Sequence, residues 1–279
     1  MKMSFNFNNP TNLIFGTGKL NELGNQKLPG KKALLLISSG KSVKIYGTLD
    51  RVKEQLEKAG AEFFVCDNIH ENPSKEVVMD AAAAAKENGC DFIVALGGGA
   101  VLDAAVAVSA MATNPGDLWD YVNGGTGKGK ALVNPGLPVV TIATSSGTGS
   151  EINCWGVISN HQTNEKIGFG YPQLVPVLAI VDPELMKTVP PEYTAYQGFD
   201  ALFHNTEVMI SNGVNILSET IALSAIEKIA KYLPKAVADG KDLQAREAVA
   251  YGSTIAGITM QLTCTTAQHS MEHAMSAYH

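Results

Sequence analysis

Short, unalternating apolar runs separated by helix-period segments dominate the first two-thirds of the chain. Ala33 to Ile37 is such a run, closing on Ser38-Ser39-Gly40, and it reads as a strand buried on both faces. Leu49, Val52, Leu56 and Ala59 then recur at helical spacing until Gly60 stops them. A second strand (Glu62 to Val65), a second helix (Ser74 to Asn88, with Ser74 as N-cap) and a third strand (Phe92 to Leu96) repeat the unit. This alternation predicts a parallel sheet with right-handed crossovers. The Gly-, Pro- and Asn-rich stretch 114–138 reads as loop, followed by strands at Pro138 to Ala143 and Val177 to Val181. Ahead of the first unit, Phe5, Phe7 and Leu13-Ile14-Phe15 read as a strand-like start.

The texture changes after Asp182-Pro183. From Glu184 onward glycines thin out and helical periodicity is nearly continuous, with Pro190-Pro191, Pro234 and Gly240 as breaks. The expected organisation is an α/β domain over 1–184, mostly parallel sheet, followed by an all-helical domain over 185–279.

The chain of 279 residues is long enough to bury a substantial core, and its 45% hydrophobic and 17% charged residues are those of a soluble globular protein. A net charge of −6 argues against a nucleic-acid or anionic-membrane partner. The N-terminus carries no apolar signal core and no apolar run reaches a membrane span, so cytoplasmic residence is the expectation. Cys66, Cys90, Cys154 and Cys264 form no CxxC pair and read as reduced, mostly buried thiols. His70 and His161 fall in expected loops and read as surface residues.

Two glycine-rich turns carry the first chemistry. In DFIVALGGGAVLDAA, Gly97, Gly98 and Gly99 join a buried strand to a helix. Bare backbone there can approach an anion and aim amides at it, with the helix N-terminus behind, which suits a pyrophosphate. Alone, such a junction can be no more than a tight turn, and it is not the GxGxxG fingerprint. The second element, TSSGTGSE from Thr144 to Glu151, also follows a strand. Two such turns at the carboxyl ends of parallel strands would face one crevice, which points to a nucleotide. The first strand ends with hydroxyls and Lys41 and without a carboxylate, which favours NADP(H) over NAD(H).

Asp200 and His204 are spaced i, i+4, and so are His269 and His273, so each pair shares a helix face. A carboxylate with imidazoles suits Fe²⁺ or Zn²⁺ better than Ca²⁺ or Mg²⁺. His269 to His273 also matches HxxEH, the inverted zinc-peptidase pattern, but that reading leaves both glycine turns unexplained. His279 is a weaker candidate ligand at the chain end.

Taken in order, GGGAVLDAA, ATSSGTGSE, GFDALFH and HSMEHAMSA resemble the iron-containing (group III) alcohol dehydrogenases, nearest to the branch of butanol dehydrogenases and NADPH-dependent aldehyde reductases. The resemblance implies a dinucleotide-binding α/β domain, an all-helical domain, and one divalent metal in the cleft between them. It implies Asp200, His204 and His269 as metal ligands and His273 beside the metal as a proton relay. It places Gly97, Gly98 and Gly99 at the pyrophosphate, Asn72, Asp103, Thr144, Ser145 and Lys166 along the cofactor cleft, and Ser39 and Ser42 at the adenosine end. The implied reaction is metal-assisted hydride transfer between a primary alcohol or aldehyde, such as butanol or butanal, and NADP(H), with no serine or cysteine nucleophile. A homodimer is implied as well.

Two departures from the family pattern stand out. Ala100 and Val106 replace a usual serine and a frequent lysine. The family's fourth ligand would lie beyond His279, so the resemblance implies an incomplete helical domain, and with it the alternative of a fragment that keeps only nucleotide binding. A glycerol- or polyol-type substrate is the other alternative; no second basic cluster for a substrate phosphate is evident.

Overall fold

A strand with apolar side chains on both faces must be covered on both sides, and this requirement organises the α/β part of the chain. The computed structural model describes residues 2–278. In it β2 (Lys32–Ser38) and β4 (Phe92–Gly97) are neighbouring interior strands of a six-stranded sheet. Leu34 and Leu36 of β2 enter one core layer while Leu35 and Ile37 enter the other, and all four are fully buried. β3 (Glu62–Ile69) flanks β2, while β5 (Val139–Ala143), β8 (Leu178–Val181) and β1 (Asn12–Phe15) extend the sheet beyond β4. Every pairing in this sheet is parallel.

The order β1-β8-β5-β4-β2-β3 has a consequence for binding. The chain leaves β2 toward β3 and then crosses back to β4, so the connections diverge between β2 and β4. Ligands of open sheets lie outside the carboxyl ends of the strands at such a point. The glycine turn 97–99 stands there.

Helices cover the sheet. α1 (Ser42–Ile45) and α2 (Thr48–Lys58) follow β2, and α3 (Lys75–Glu87) follows β3 with the Ser74 hydroxyl accepting from the Val77 amide at 3.3 Å. α4 (Gly99–Met111) follows the glycine turn and is buried from Val101 to Met111. An antiparallel hairpin, β6 (Trp155–Asn160) and β7 (Glu165–Gly170), lies across its outer side. The approach is close: a Cβ on Gly156 would stand 2.4 Å from the Asp103 carbonyl oxygen. Val106 is part of the same buried layer, which accounts for an apolar side chain at that position.

The helical part comprises α5 (Pro191–Ile210), α6 (Ile216–Ala238), α7 (Leu243–Leu262) and α8 (Ala267–Ser276). The buried guanidinium of Arg246 on α7 donates to the Gly240 and Val189 carbonyls and to Thr194 Oγ1, at 2.8–3.0 Å, tying α7 to the start of α5. Gly149, in the left-handed region at φ +65°, and Gly257 of α7 pack against each other; a Cβ on Gly257 would stand 2.1 Å from the Gly149 carbonyl oxygen. The second glycine turn is thereby seated directly on a helix of the other part.

Two expectations need correction. Phe5 and Phe7 are exposed and lie outside any strand; the leading strand is Asn12–Phe15 alone. Pro234 does not break a helix: α6 runs through it to Ala238, because Leu233 and Ala236 on either side are buried and hold the turn despite the lost N–H. The hairpin β6–β7 was not expected from the sequence. Among the described residues no helix is long and apolar enough to cross a membrane.

Candidate functional site

Two cavities meet at the carboxyl end of the sheet, and Gly99, Ala100, Thr148 and Asp200 line both. The first, about 450 Å³, runs over the glycine turns between β2, β4 and β5. The second, about 500 Å³, lies between α4, the hairpin and α5, α7 and α8.

The first cavity is built by the absence of side chains. A Cβ on Gly98 would meet Ser145 Oγ at 3.0 Å, and one on Gly99 would meet Thr148 Cγ2 at 2.5 Å. The two glycine turns therefore touch, and only bare backbone lets them do so. Gly97 plays a different part: it ends β4, its carbonyl accepts from the Thr144 amide at 2.9 Å, and a Cβ there would strike Val101. Gly98, Gly99, Thr144 and Ser145 line this cavity, as does Ser42. Ser39 does not; its hydroxyl pairs with His70 Nδ1 at 2.8 Å, and it is His70 and Ser38 that face the space. Glu71 lines the same end, a carboxylate from the loop after β3 that reading the β2 end alone overlooks.

Asn72, Asp103 and Lys166 line the second cavity. Asn72 sits at φ 50°, a conformation that asparagine tolerates better than most residues. The buried Asp103 carboxylate accepts from the Val157 amide at 2.9 Å through Oδ2, while Oδ1 has no partner. Burial pushes its pKa up to about 6, against the pull of the nearby Ser150 hydroxyl and of the Val157 amide. Lys166 on the hairpin reaches Glu272 and Ser276 of α8, both at 3.0 Å.

Asp200, His204 and His269 converge at the junction of the cavities, with their donor atoms all within 4.8 Å of one another. Asp200 and His204 stand one turn apart on α5, and α8 brings His269 from the other side. His204 Nδ1 lies 3.0 Å from the Asp200 carbonyl oxygen, which leaves Nε2 free. His269 Nε2 lies 3.3 Å from Asp200 Oδ1, while its Nδ1 lies 2.5 Å from Glu207 Oε1. Burial holds His204 below its ordinary pKa. Burial also works to raise Asp200, but the charges of His204 and His269 outweigh it and lower its pKa. One carboxylate and two imidazoles, each with a ring nitrogen committed elsewhere, form a donor set fitted to a borderline divalent cation. Gly147 connects this cluster to the nucleotide side: a Cβ there would stand 3.1 Å from Asp200 Oδ2.

His273 lines the second cavity with its ring centre 6.3 Å from that of His269, outside the three-residue cluster. Burial holds it below its ordinary pKa; Glu272 opposes this and Lys166 reinforces it. A ligand role for His279 lies outside the described residues. Glu207 and the hairpin residue Trp155 were not expected at this site. The signal for Glu207 was present, since it stands three residues after His204 and seven after Asp200 on one helix face.

The family model "Iron-containing alcohol dehydrogenase" matches residues 10–183, and "Fe-containing alcohol dehydrogenase family, C-terminal" matches 194–279. A probable NADH-dependent butanol dehydrogenase of Bacillus subtilis is 36% identical over 98% of this chain and 70% of its own length. The 1,3-propanediol dehydrogenase of Klebsiella pneumoniae is 35% identical over 97% of this chain and 69% of its own. Among solved structures, an alcohol dehydrogenase from an archaeal halo-thermophile of a Red Sea brine pool superposes with a TM-score of 0.94. It is 36% identical and is matched over 100% of this chain and 70% of its own. The NADH-dependent butanol dehydrogenase A of Thermotoga maritima gives 0.89 at 32% identity, over 99% and 69%. The chain thus spans about 70% of the length of these relatives, and it belongs to the iron-containing alcohol dehydrogenase family of oxidoreductases.

Proposed function

We propose that this protein interconverts a primary alcohol and its aldehyde, of butanol-like size, using NADP(H) and one divalent metal, Fe²⁺ or Zn²⁺. Residues 1–184 serve as the nucleotide-binding domain and 185–279 as the metal-binding one. The observation that carries the reading is the Asp200–His204–His269 cluster standing directly against the glycine turn through Gly147. A cation held by these three residues would supply Lewis-acid polarisation of the substrate oxygen, and the nicotinamide would supply or accept the hydride.

The chain's own residues do the rest. Gly98 and Gly99 offer backbone amides and the α4 N-terminus to a pyrophosphate, and Thr144 and Ser145 add hydroxyls on the facing turn. Lys166 and Asp103 line the space between that turn and the cluster, where a nicotinamide ribose has room. Trp155, Met260 and Cys264 supply apolar wall for a short carbon chain. His273, low in pKa and open to the cavity, is placed to pass a proton between substrate oxygen and water. Lys166 is the lone cation lining the substrate side among the described residues, and it is paired with Glu272, which disfavours a phosphorylated polyol.

Ser38 and Ser42 at the β2 end, with the His70 imidazole, support NADP(H). The Glu71 carboxylate supports the second reading, NAD(H), by repelling a 2′-phosphate. Cytoplasmic residence and a homodimer complete the proposal. The test is a titration of the protein with NADPH and NADH, followed by butanol oxidation before and after chelation. Binding of NADPH tighter than NADH, with turnover that vanishes on chelation and returns with Fe²⁺ or Zn²⁺, is the expected result. Full turnover in metal-stripped protein would defeat the proposal.

A further inference from the structure

Glu207 is fully buried, yet it belongs neither to the donor cluster nor to the lining of either cavity. A buried carboxylate persists only when its oxygens are satisfied, so the partners it chooses reveal what it holds. All of them lie on one element. Oε1 faces His269 Nδ1 at 2.5 Å. Oε2 accepts from the Thr266 backbone amide and from Thr266 Oγ1, the latter at 3.1 Å. Thr266 is the N-cap of α8, the helix that carries His269 and His273.

α8 needs such an anchor. Among the described residues none of α8 is fully buried, and its placement within this chain leans on polar contacts. Its polar attachments to the rest of the fold include Glu207 at the N-terminal end, Asp200 beside His269 Nε2, and Lys166, bound to Glu272 and Ser276, further along. The Glu207 anchor is the one that bears on the cluster. The amide it accepts from is one of those an α-helix leaves unpaired at its start. Of the two carboxylates beside the ring Glu207 is the nearer, at 2.5 Å against 3.3 Å for Asp200, which favours the proton of the neutral imidazole on Nδ1 and turns Nε2 toward the cluster.

We infer that Glu207 is a positioning residue for the metal site: it orients the His269 ring, sets its tautomer, and fixes the start of α8. The inference rests on reading Asp200, His204 and His269 as metal ligands. Glu207 itself stays outside the ligand set, because it approaches His269 from the nitrogen opposite to the one that faces Asp200.

Two measurements on the 279-residue chain test it. The first is Zn²⁺ affinity, by competition with a chromophoric chelator, for the wild type and Glu207→Gln. Outer partners of this kind are worth about 10–100-fold in metal affinity, so a loss in that range is expected, with NADPH affinity and the far-UV spectrum of the metal-free protein unchanged. Unchanged Zn²⁺ affinity in folded Glu207→Gln overturns the inference. The second is the ¹⁵N imidazole spectrum of the metal-free wild type at about pH 9, where a histidine is neutral. The proton of His269 is expected on Nδ1, moving to Nε2 in Glu207→Gln; a wild-type ring protonated on Nε2 also overturns the inference, and this holds even if the variant fails to fold. Absence of Zn²⁺ binding by the wild type would count against the metal reading, and the tautomer would then decide the role of Glu207 by itself.

Discussion

The two halves of the cleft solve opposite problems. On the nucleotide side the useful groups are backbone amides, and the structure exposes them by removing side chains: a Cβ on Gly99 would collide with Thr148, and one on Gly98 or Gly147 would crowd Ser145 or Asp200. On the metal side the useful groups are side chains, and the structure immobilises them by giving each a second partner. His204 is tied to a backbone carbonyl and His269 to Glu207. The first surface tolerates no addition and the second tolerates no deletion. Substitutions should therefore separate the two functions cleanly.

The largest effect is expected from Asp200→Ala, which removes the one charged donor of the cluster. Zn²⁺ affinity should fall by more than about 100-fold, beyond what loss of an outer partner costs. NADPH affinity should change far less, since Asp200 borders the nucleotide cavity beside Gly147 but the glycine turns that would hold the pyrophosphate are left intact. Isothermal titration with each ligand separately checks both halves, and a parallel fall in both affinities would break the division.

Asp103 lies between the two sides and should respond to pH. Its carboxyl titrates near 6 in the folded chain against 3.8 without the fold's influence, because burial disfavours the charge. The folded state then binds more protons than the unfolded one across this window. Stability from this group is full below 3.8 and is lost as pH rises through 6, by about 3 kcal/mol at 1.36 kcal/mol per unit. Asn at this position does not titrate. Denaturant unfolding without nucleotide should find Asp103→Asn gaining up to about that much on the wild type between pH 4 and pH 7. An unchanged difference would show that the carboxylate is solvated.

Gly99→Val is the counterpart of Asp200→Ala on the nucleotide side. Its Cβ would press on Thr148 Cγ2 from 2.5 Å, and overpacking of this kind costs about 1–3 kcal/mol. NADPH affinity should weaken about 10–100-fold while Zn²⁺ affinity holds.

How much of this was legible in the sequence follows from the range of the interactions. The strands at 33–37 and 92–96, the cap at Ser74 and the glycine turns are set by neighbours within a few residues, so periodicity and punctuation revealed them. The Asp200–His204 pair was legible for the same reason, as a helical spacing. The hairpin was missed because Gly156, Gly168 and Gly170 blur its alternation, and Gly156 is there to let it lie on α4. Pro234 misled because packing from Leu233 and Ala236 overrides a local signal. The choice of Ser38 and His70 over Ser39 at the cavity wall depends on a β2–β3 contact that no local pattern encodes. Glu207 shared the helix face of the ligands, but its partner Thr266 is 59 residues away.

The smallest effect belongs to the hairpin, which walls the substrate side without touching the cluster. Glu165 on β7 accepts from Thr126, Thr163 and the Trp119 indole at 2.6–3.0 Å, joining the hairpin to the loop 114–138. Burial opposes ionisation of this carboxyl, but the hydrogen bonds outweigh it and bring its pKa down to about 2 from 4.5. Its contribution is thus complete above pH 4.5 and fades as pH falls toward 2. Because the group is only partly buried, screening by water holds the gain to about 1 kcal/mol. Glu165→Gln should lower the thermal midpoint at pH 7 by a few degrees at most, with Zn²⁺ and NADPH affinities both intact. If instead either affinity falls severalfold, the hairpin transmits to Lys166 and α8, and the wall would have to be counted with the metal side.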